Sequence, residues 1–151
     1  MGTAISSTGR PLPVPNPTTQ PFFDGAREER LILQRCPRDG FFYYPRSRCP
    51  ECLGDDWAWE QVSGRGTVYA FTVDRIGHDP ALASHLRGAD GTLAPFVIAV
   101  VELEEGPRIT AGISGCDPSE VRVGLAVRAA FEHVKAGEDS VSLVHFCPIA
   151  P

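Results

Sequence analysis

The second half of the chain alternates apolar and polar residues in short runs, which is the pattern of half-buried β-strands. β-branched and aromatic residues are concentrated in these runs. Glycine, proline and acidic residues separate one run from the next. The predicted strands cover residues 67–73, 95–103, 108–114, 126–134 and 141–146. This half is therefore predicted to be all-β.

The connections complete the topology. Residues 75–94 have little apolar periodicity and predict a long loop, and Glu-Glu-Gly-Pro at 104–107 predicts a hairpin turn. Asp117, Pro118 and Glu120 predict the capped start of a helix, which Gly124 ends after one or two turns. Three strands, a short helix and two further strands are the order of an OB-fold, a five-stranded Greek-key barrel.

The first half of the chain has a different pattern. Residues 1–18 are rich in Gly, Ser, Thr and Pro and predict an extended or disordered tail. Thr19 as N-cap and Pro21 in the first turn predict a short helix. Strands are expected over 30–35 and 41–45. The predicted division is a tail over 1–18, a helix with a metal ribbon over 19–60, and a barrel over 61–151.

Two turns of the ribbon are spaced for metal binding. Cys36 and Asp39 form one i, i+3 pair, and Cys49 and Cys52 form the other. Gly40 follows the first pair, as a turn with positive φ requires. Two such knuckles supply the four tetrahedral ligands of a structural zinc, here three thiolates and one carboxylate. The alternatives are a ribbon that has lost its metal and is held by packing, or ordinary reduced thiols.

Composition restricts the cellular setting. The 151-residue chain has a net charge of −5 and a single lysine, Lys135. It contains no apolar run long enough to span a membrane and no basic segment followed by an apolar one at its N-terminus. Five cysteines, an odd number, argue against a disulfide framework. We therefore expect a cytoplasmic protein that does not bind membranes.

Arginines and aromatic rings are concentrated around the ribbon. Between residues 27 and 48 six arginines face only three acidic residues, whereas the barrel half is acidic. The basic region is either a solvated face or a surface for phosphate or an acidic partner. The rings exceed what a small ribbon can bury, so some are expected to pack on the barrel and others to contact a partner.

Residues suited to catalysis are scattered. Cys116 precedes the predicted helix, Cys147 lies near His145, and His78 and His85 fall in the predicted loop. No nucleophile, base and orienting group are grouped together, and no glycine-rich phosphate loop is present. We predict that the chain alone has no turnover. Zinc ribbons and OB-folds also bind nucleic acids. Such proteins need basic residues that neutralise phosphates, whereas the barrel half here is acidic and the whole chain has a pI of about 5.3.

Several motifs together resemble one family. They include the ribbon motif Leu-x-Leu-Gln-Arg-Cys at 31–36 and the segment Tyr-Pro-Arg-x-x-Cys-Pro-x-Cys at 44–52. The barrel adds Ser-Gly-Arg-Gly-Thr-Val-Tyr at 63–69. The sequence resembles, over residues 19–148, the family with a rubredoxin-like zinc ribbon and an OB-fold that was long catalogued as a domain of unknown function. Asp39 stands where that family usually has cysteine, which puts the metal in doubt but not the fold.

The resemblance implies a role in acyl-CoA metabolism. Family members act as small partner subunits of thiolase-fold enzymes (thiolases, acyltransferases and retro-aldolases), and the partner supplies the catalytic residues. We therefore expect a non-catalytic subunit that binds such an enzyme and helps bind or channel acyl-CoA. The alternatives are a nucleic-acid-binding module and a free-standing acyl-CoA-binding protein. The candidate contacts for CoA or the partner are Arg35, Arg38, Arg46, Arg48, Phe22, Phe23 and Tyr43.

Overall fold

The computed structural model describes residues 4–6, 11–75, 95–136 and 139–149. The long loop predicted over 75–94 lies outside this range except for Arg75. In chain order the elements are β1 (Ala4–Ile5), β2 (Pro11–Leu12), α1 (Gln20–Arg27), β3 (Ile32–Cys36), β4 (Gly40–Phe42), β5 (Ala58–Gln61), β6 (Arg65–Asp74), β7 (Phe96–Leu103), β8 (Arg108–Ile113), a 3₁₀ turn (Pro118–Glu120), β9 (Ala126–Ala136) and β10 (Asp139–Pro148).

Strands β6 to β10 close into a barrel in the order β10-β8-β7-β6-β9. All neighbours are antiparallel except β10 and β8, which meet in parallel with Phe146 opposite Ile113. Successive side chains of a strand point to opposite faces, so every second residue of β7 enters the core. Where β6 pairs with β7, a Cβ on Gly66 would lie 2.4 Å from the Glu102 carbonyl oxygen, so this position requires glycine. The predicted OB-fold is confirmed.

The predicted helix after Asp117 has the shortest length expected, one turn, and it ends before Gly124. It is a single 3₁₀ turn, in which the Asp117 side chain accepts from the Ser119 N–H and the Glu120 side chain accepts from the Asp117 N–H. Val121 then adopts an extended conformation and is buried in the barrel core. Burial of this side chain ends the turn before Gly124 is reached.

The ribbon is a three-stranded sheet in the order β4-β3-β5, and α1 packs against both β3 and the barrel strand β10. Thr19 stands at the start of α1, but its hydroxyl bonds the Asn16 carbonyl and does not cap the helix. Phe22, Leu31 and Leu33 are buried in the same apolar cluster as the barrel core. The ribbon therefore buries much of its apolar surface against the barrel.

The N-terminal segment is extended where it is described. β1 and β2 pair antiparallel, and Leu12 is buried. Among the described residues, no helix is both long and apolar enough to cross a membrane.

Candidate metal centre and ribbon surface

Two tight turns bring the candidate ligands to one side of the ribbon. Strand β3 ends at Cys36, and Gly40 opens β4 with φ of 81°, a conformation that costs glycine little. In the second knuckle the Leu53 N–H donates to the Cys49 carbonyl, and the Cys49 N–H donates to the Gly54 carbonyl. These main-chain bonds fix the direction in which the cysteine side chains leave the chain.

The four predicted ligands meet at one point. Their ligand atoms, from Cys36, Asp39, Cys49 and Cys52, all lie within 4.8 Å of one another. The Asp39 Oδ2 atom is 3.3 Å from the Sγ atoms of Cys36 and Cys49, and the Cys36 and Cys52 sulfurs are 3.6 Å apart. Zinc with Zn–S of about 2.3 Å and Zn–O of about 2.1 Å would separate tetrahedral ligands by roughly 3.6–3.8 Å. The donor set therefore fits a structural zinc, which would join the two knuckles.

Hydrogen bonds within the cluster shift the pKa values of Asp39 and Cys52. The thiols of Cys52, Cys49 and Cys36 hydrogen-bond to Asp39 and hold the pKa of its carboxyl below the ordinary value. The contact with Asp39 is the main cause that raises the pKa of the Cys52 thiol to about 12. A metal ion that binds here must displace thiol protons, so binding releases protons to the solvent.

A small apolar cluster surrounds the metal ligands. Cys36 and Cys49 are each 1% exposed and pack with Phe42, and Trp57 lies against the same cluster. The rings of Phe42 and Trp57 meet edge to face with centroids 6.4 Å apart. The Trp57 indole N–H donates to the Ser47 carbonyl at 3.0 Å. Trp57 thus ties the segment between the knuckles to the metal cluster.

Gln34 is a structural residue that the sequence analysis missed. Its side chain is 1% exposed, donates to the Arg46 carbonyl and accepts from the Arg46 N–H, both at 2.8 Å. One amide therefore satisfies both main-chain groups of Arg46 and holds the loop before the second knuckle. The local sequence contains no distinct signal for this role, because Gln34 stands between Leu33 and Arg35, and a polar residue beside an arginine is also typical of an exposed strand position.

The candidate arginines lie on the ribbon surface. Arg35 is 3.4 Å from Glu60 and lies over the Phe41 ring. The side chains of Arg46 and Arg48 donate to the main-chain carbonyls of Tyr44 and Leu53, at 3.1 and 2.9 Å. Arg38, Arg46 and Arg48 are exposed and form no ion pair with any described carboxylate. Their positive charge is therefore available to a partner.

The candidate rings mostly face inward. Phe22 is 8% exposed and belongs to the shared core, and Phe23 and Tyr43 are partly buried against it. Burial raises the pKa of Tyr43 to about 12. Tyr44 stacks on Tyr43 at 4.2 Å but is 55% exposed. Most aromatic rings that the small ribbon could not bury by itself are thus packed on the barrel core.

A groove runs along the junction of helix, ribbon and barrel. It has a volume of about 270 Å³, and Phe22, Phe23 and Tyr43 form one wall. Barrel residues from β7, β8 and β10 form the other wall, and His145 is one of them. The groove is mostly apolar, which suits an acyl chain better than a phosphate.

Within the part of the chain that the structure describes, the residues considered for catalysis do not assemble into a reactive site. Burial is the main cause that raises the pKa of the Cys116 thiol, which makes it a poor nucleophile. His145 bonds Glu132 at 2.8 Å. His133 bonds both Ser142 and Glu29, but Ser142 is 4% exposed and cannot reach a substrate. Cys147 is half-buried in β10, and the candidates His78 and His85 lie outside the described residues.

Comparison with known proteins agrees with this architecture. Residues 23–58 match the family model described as ChsH2, rubredoxin-like zinc ribbon domain, and residues 59–132 match ChsH2, C-terminal OB-fold domain. A DUF35 domain-containing scaffold protein of Methanocaldococcus jannaschii is 39% identical over 114 residues, which are 74% of each chain. This chain belongs to the DUF35 family. The resemblance inferred from the motifs is confirmed.

Other DUF35 relatives are named as parts of CoA-dependent enzymes. One is a benzoylsuccinyl-CoA thiolase subunit of Thauera aromatica, 27% identical over 74% of this chain and 70% of the relative. Another is a probable enoyl-CoA hydratase alpha subunit of Thermomonospora curvata, 32% identical over 78% of this chain. The match spans only 34% of that hydratase subunit, about a third of its length.

A solved DUF35 structure has the same fold. It is described as an Ltp2-ChsH2(DUF35) aldolase, and it matches with a TM-score of 0.71 and 28% sequence identity. The match covers 91% of this chain and 98% of that chain. Helix, ribbon and barrel are therefore arranged similarly in a protein whose name pairs it with an aldolase.

Proposed function

We propose that this protein is a non-catalytic accessory subunit that binds a thiolase-fold enzyme and helps bind or channel its acyl-CoA substrates. The observation that carries the proposal is the match to 98% of the DUF35 chain of an aldolase. The thiolase and hydratase subunits among the relatives support a partner that acts on CoA thioesters.

The ribbon face is the proposed contact with the partner or with CoA. It consists of Arg38, Arg46 and Arg48 together with two exposed apolar side chains, those of Tyr44 and Leu53. The three guanidinium groups form no ion pair within the described residues, so acids of a partner or the phosphates of CoA can neutralise them. Exposed aromatic residues beside arginines are typical of interface centres.

The junction groove is the proposed path for the acyl group. Phe22, Phe23 and Tyr43 form one of its walls, and the three exposed arginines lie on the ribbon. Arg35 is paired with Glu60 and contributes less free charge than the other three. An acyl-CoA has the matching division into an apolar chain and an anionic end.

The absence of a reactive array among the described residues supports a non-catalytic role. Ser142 is buried, and burial raises the pKa of Cys116. Purified protein should not cleave or transfer an acyl group from acyl-CoA above background. Activity that is lost in Cys116→Ala or Cys147→Ala would overturn this part of the proposal.

The assembly is tested by purification from the native host. A tagged chain should co-purify with an enzyme that mass spectrometry identifies as thiolase-fold. Arg46→Glu together with Arg48→Glu should weaken the association, and the loss should shrink at high salt because exposed charges are screened. Arg122→Glu together with Arg128→Glu, on the barrel, makes the same change in charge and should have little effect.

A stable monomer that captures no acyl-CoA enzyme would rule out the accessory role. If the ribbon and barrel variants weaken the association equally, the proposed complex stands, but its contact does not lie on the ribbon face.

A further inference from the structure

Asp39 differs from the other three metal ligands in its exposure. Cys36 and Cys49 are buried and Cys52 is half-buried, whereas Asp39 is exposed at the tip of the first knuckle. The next residue, Gly40, has open space around it, since a Cβ there would meet nothing within 4 Å. A molecule from solvent can therefore approach the metal position on the Asp39 side and is blocked on the buried side.

Asp39 also differs in donor chemistry. The thiols of Cys36 and Cys49 both meet the same oxygen of its carboxylate, Oδ2, each at 3.3 Å. A carboxylate oxygen is a harder ligand than a thiolate and is less suited to a site that already has three sulfurs. The exposed ligand is thus the one whose bond to zinc is easiest to replace.

We propose that Asp39 is an exchangeable ligand, whose place on the metal an external low-molecular-weight thiol can take. In this exchange the metal–oxygen bond to Asp39 breaks and a metal–sulfur bond to the incoming thiolate forms. The thiol proton passes to the solvent or to the freed carboxylate. The oxidation state of the metal does not change, and the three cysteines keep the ion in the ribbon. This inference does not depend on the proposed role as an accessory subunit.

The test uses the full chain loaded with Co²⁺, whose visible absorption reports the number of bound thiolates. Addition of 2-mercaptoethanol should shift the spectrum of the natural protein toward that of Asp39→Cys measured without thiol. The Asp39→Cys spectrum should not respond, because four sulfurs already bind the ion. Ethylene glycol, which has a hydroxyl in place of the thiol, is the matched control and should change neither spectrum.

A second measurement follows zinc release to a coloured chelator. Outer-shell changes already alter metal affinity by roughly 10–100-fold, so this ligand change should slow release from Asp39→Cys by at least about tenfold. If Asp39→Cys fails to fold, Asp39→Ala replaces it in the cobalt test. That variant keeps three cysteines, and added thiol should give it the four-sulfur spectrum.

Two results would overturn the proposal. One is a natural-protein spectrum that thiol leaves unchanged, together with equal zinc release from the natural protein and Asp39→Cys. The other is loss of all cobalt absorption on addition of thiol, because that would show removal of the metal and not exchange of one ligand.

Discussion

At the centre of the barrel lie fully buried hydrocarbon side chains, among them Phe146, Val101 and Val127. At the centre of the ribbon's own cluster lie two cysteines and Phe42, with Trp57 packed beside them. The barrel can be stable by burial of apolar surface, whereas a cluster this small cannot. The ribbon therefore depends on two outside supports, a metal ion between its knuckles and the apolar contact of α1 and β3 with the barrel.

This difference predicts that the ribbon depends on the barrel, whereas the barrel does not depend on the metal. Loss of the metal should release the knuckles without unfolding the barrel. Loss of the barrel core should unfold both regions, because Leu31 and Leu33 of the ribbon belong to the same apolar cluster as Phe146. The following changes test this one-way dependence.

The largest effect is expected from Phe146→Ala. Phe146 is fully buried at the closure between β10 and β8. Such a truncation costs about 3–5 kcal/mol of unfolding free energy through lost burial and a cavity. Chemical denaturation should show ribbon and barrel unfolding together at lower denaturant. Phe71→Ala, at a partly exposed ring, is the control and should cost clearly less. Independent unfolding of the ribbon in Phe146→Ala would contradict the shared core.

A large but local effect is expected from Cys52→Ser. Removal of one thiolate should sharply reduce the metal content of the purified protein, since only two thiolates and the exchangeable Asp39 carboxylate remain. The fluorescence of Trp57, which lies beside the cluster, should change, while the circular dichroism of the barrel strands is kept. Cys147→Ser removes a thiol outside the cluster and should leave the metal content unchanged. Collapse of the barrel signal in Cys52→Ser would refute the one-way dependence.

A smaller effect is expected from Gln34→Leu. The change leaves the N–H and carbonyl of Arg46 without their partner. An unsatisfied buried group costs about 1–3 kcal/mol, so we expect a loss of roughly 2 kcal/mol in denaturation experiments. Arg46→Ala keeps both main-chain groups and should cost much less. If the two variants lose equal stability, the Arg46 side chain matters and the main-chain bonds do not.

The smallest effect is expected from Asp117→Asn in the barrel, and it concerns the pH dependence of stability. The hydrogen bonds from Ser119 hold the pKa of Asp117 below its ordinary value. A lowered pKa in the folded state contributes stability above the unfolded value of 3.8, and that contribution is lost as the pH falls through the folded value. Thermal midpoints of the natural protein and Asp117→Asn should therefore differ slightly at neutral pH and converge in acid. A difference that does not shrink as the pH is lowered past 3.8 and further would contradict this origin.

Much of this fold could be predicted from local sequence patterns. Alternation along the strands depends only on the direction of successive side chains, so the barrel strands were found within a few residues of their ends. The i, i+3 spacing of Cys36 with Asp39, and of Cys49 with Cys52, is set within single turns, so the metal cluster could be predicted without knowledge of distant contacts. The motif pattern also pointed correctly to the DUF35 family.

The sequence by itself thus determined the order of the barrel elements, the barrel topology and the four candidate ligands. Only the tertiary structure decided which surfaces remain free. It buried Phe22 in the shared core, turned Gln34 inward to Arg46, and ended the 3₁₀ turn by burying Val121. It also left Asp39 as the exposed ligand of the cluster. These outcomes depend on which distant element packs over each residue, and residue type and spacing along the chain do not contain that information.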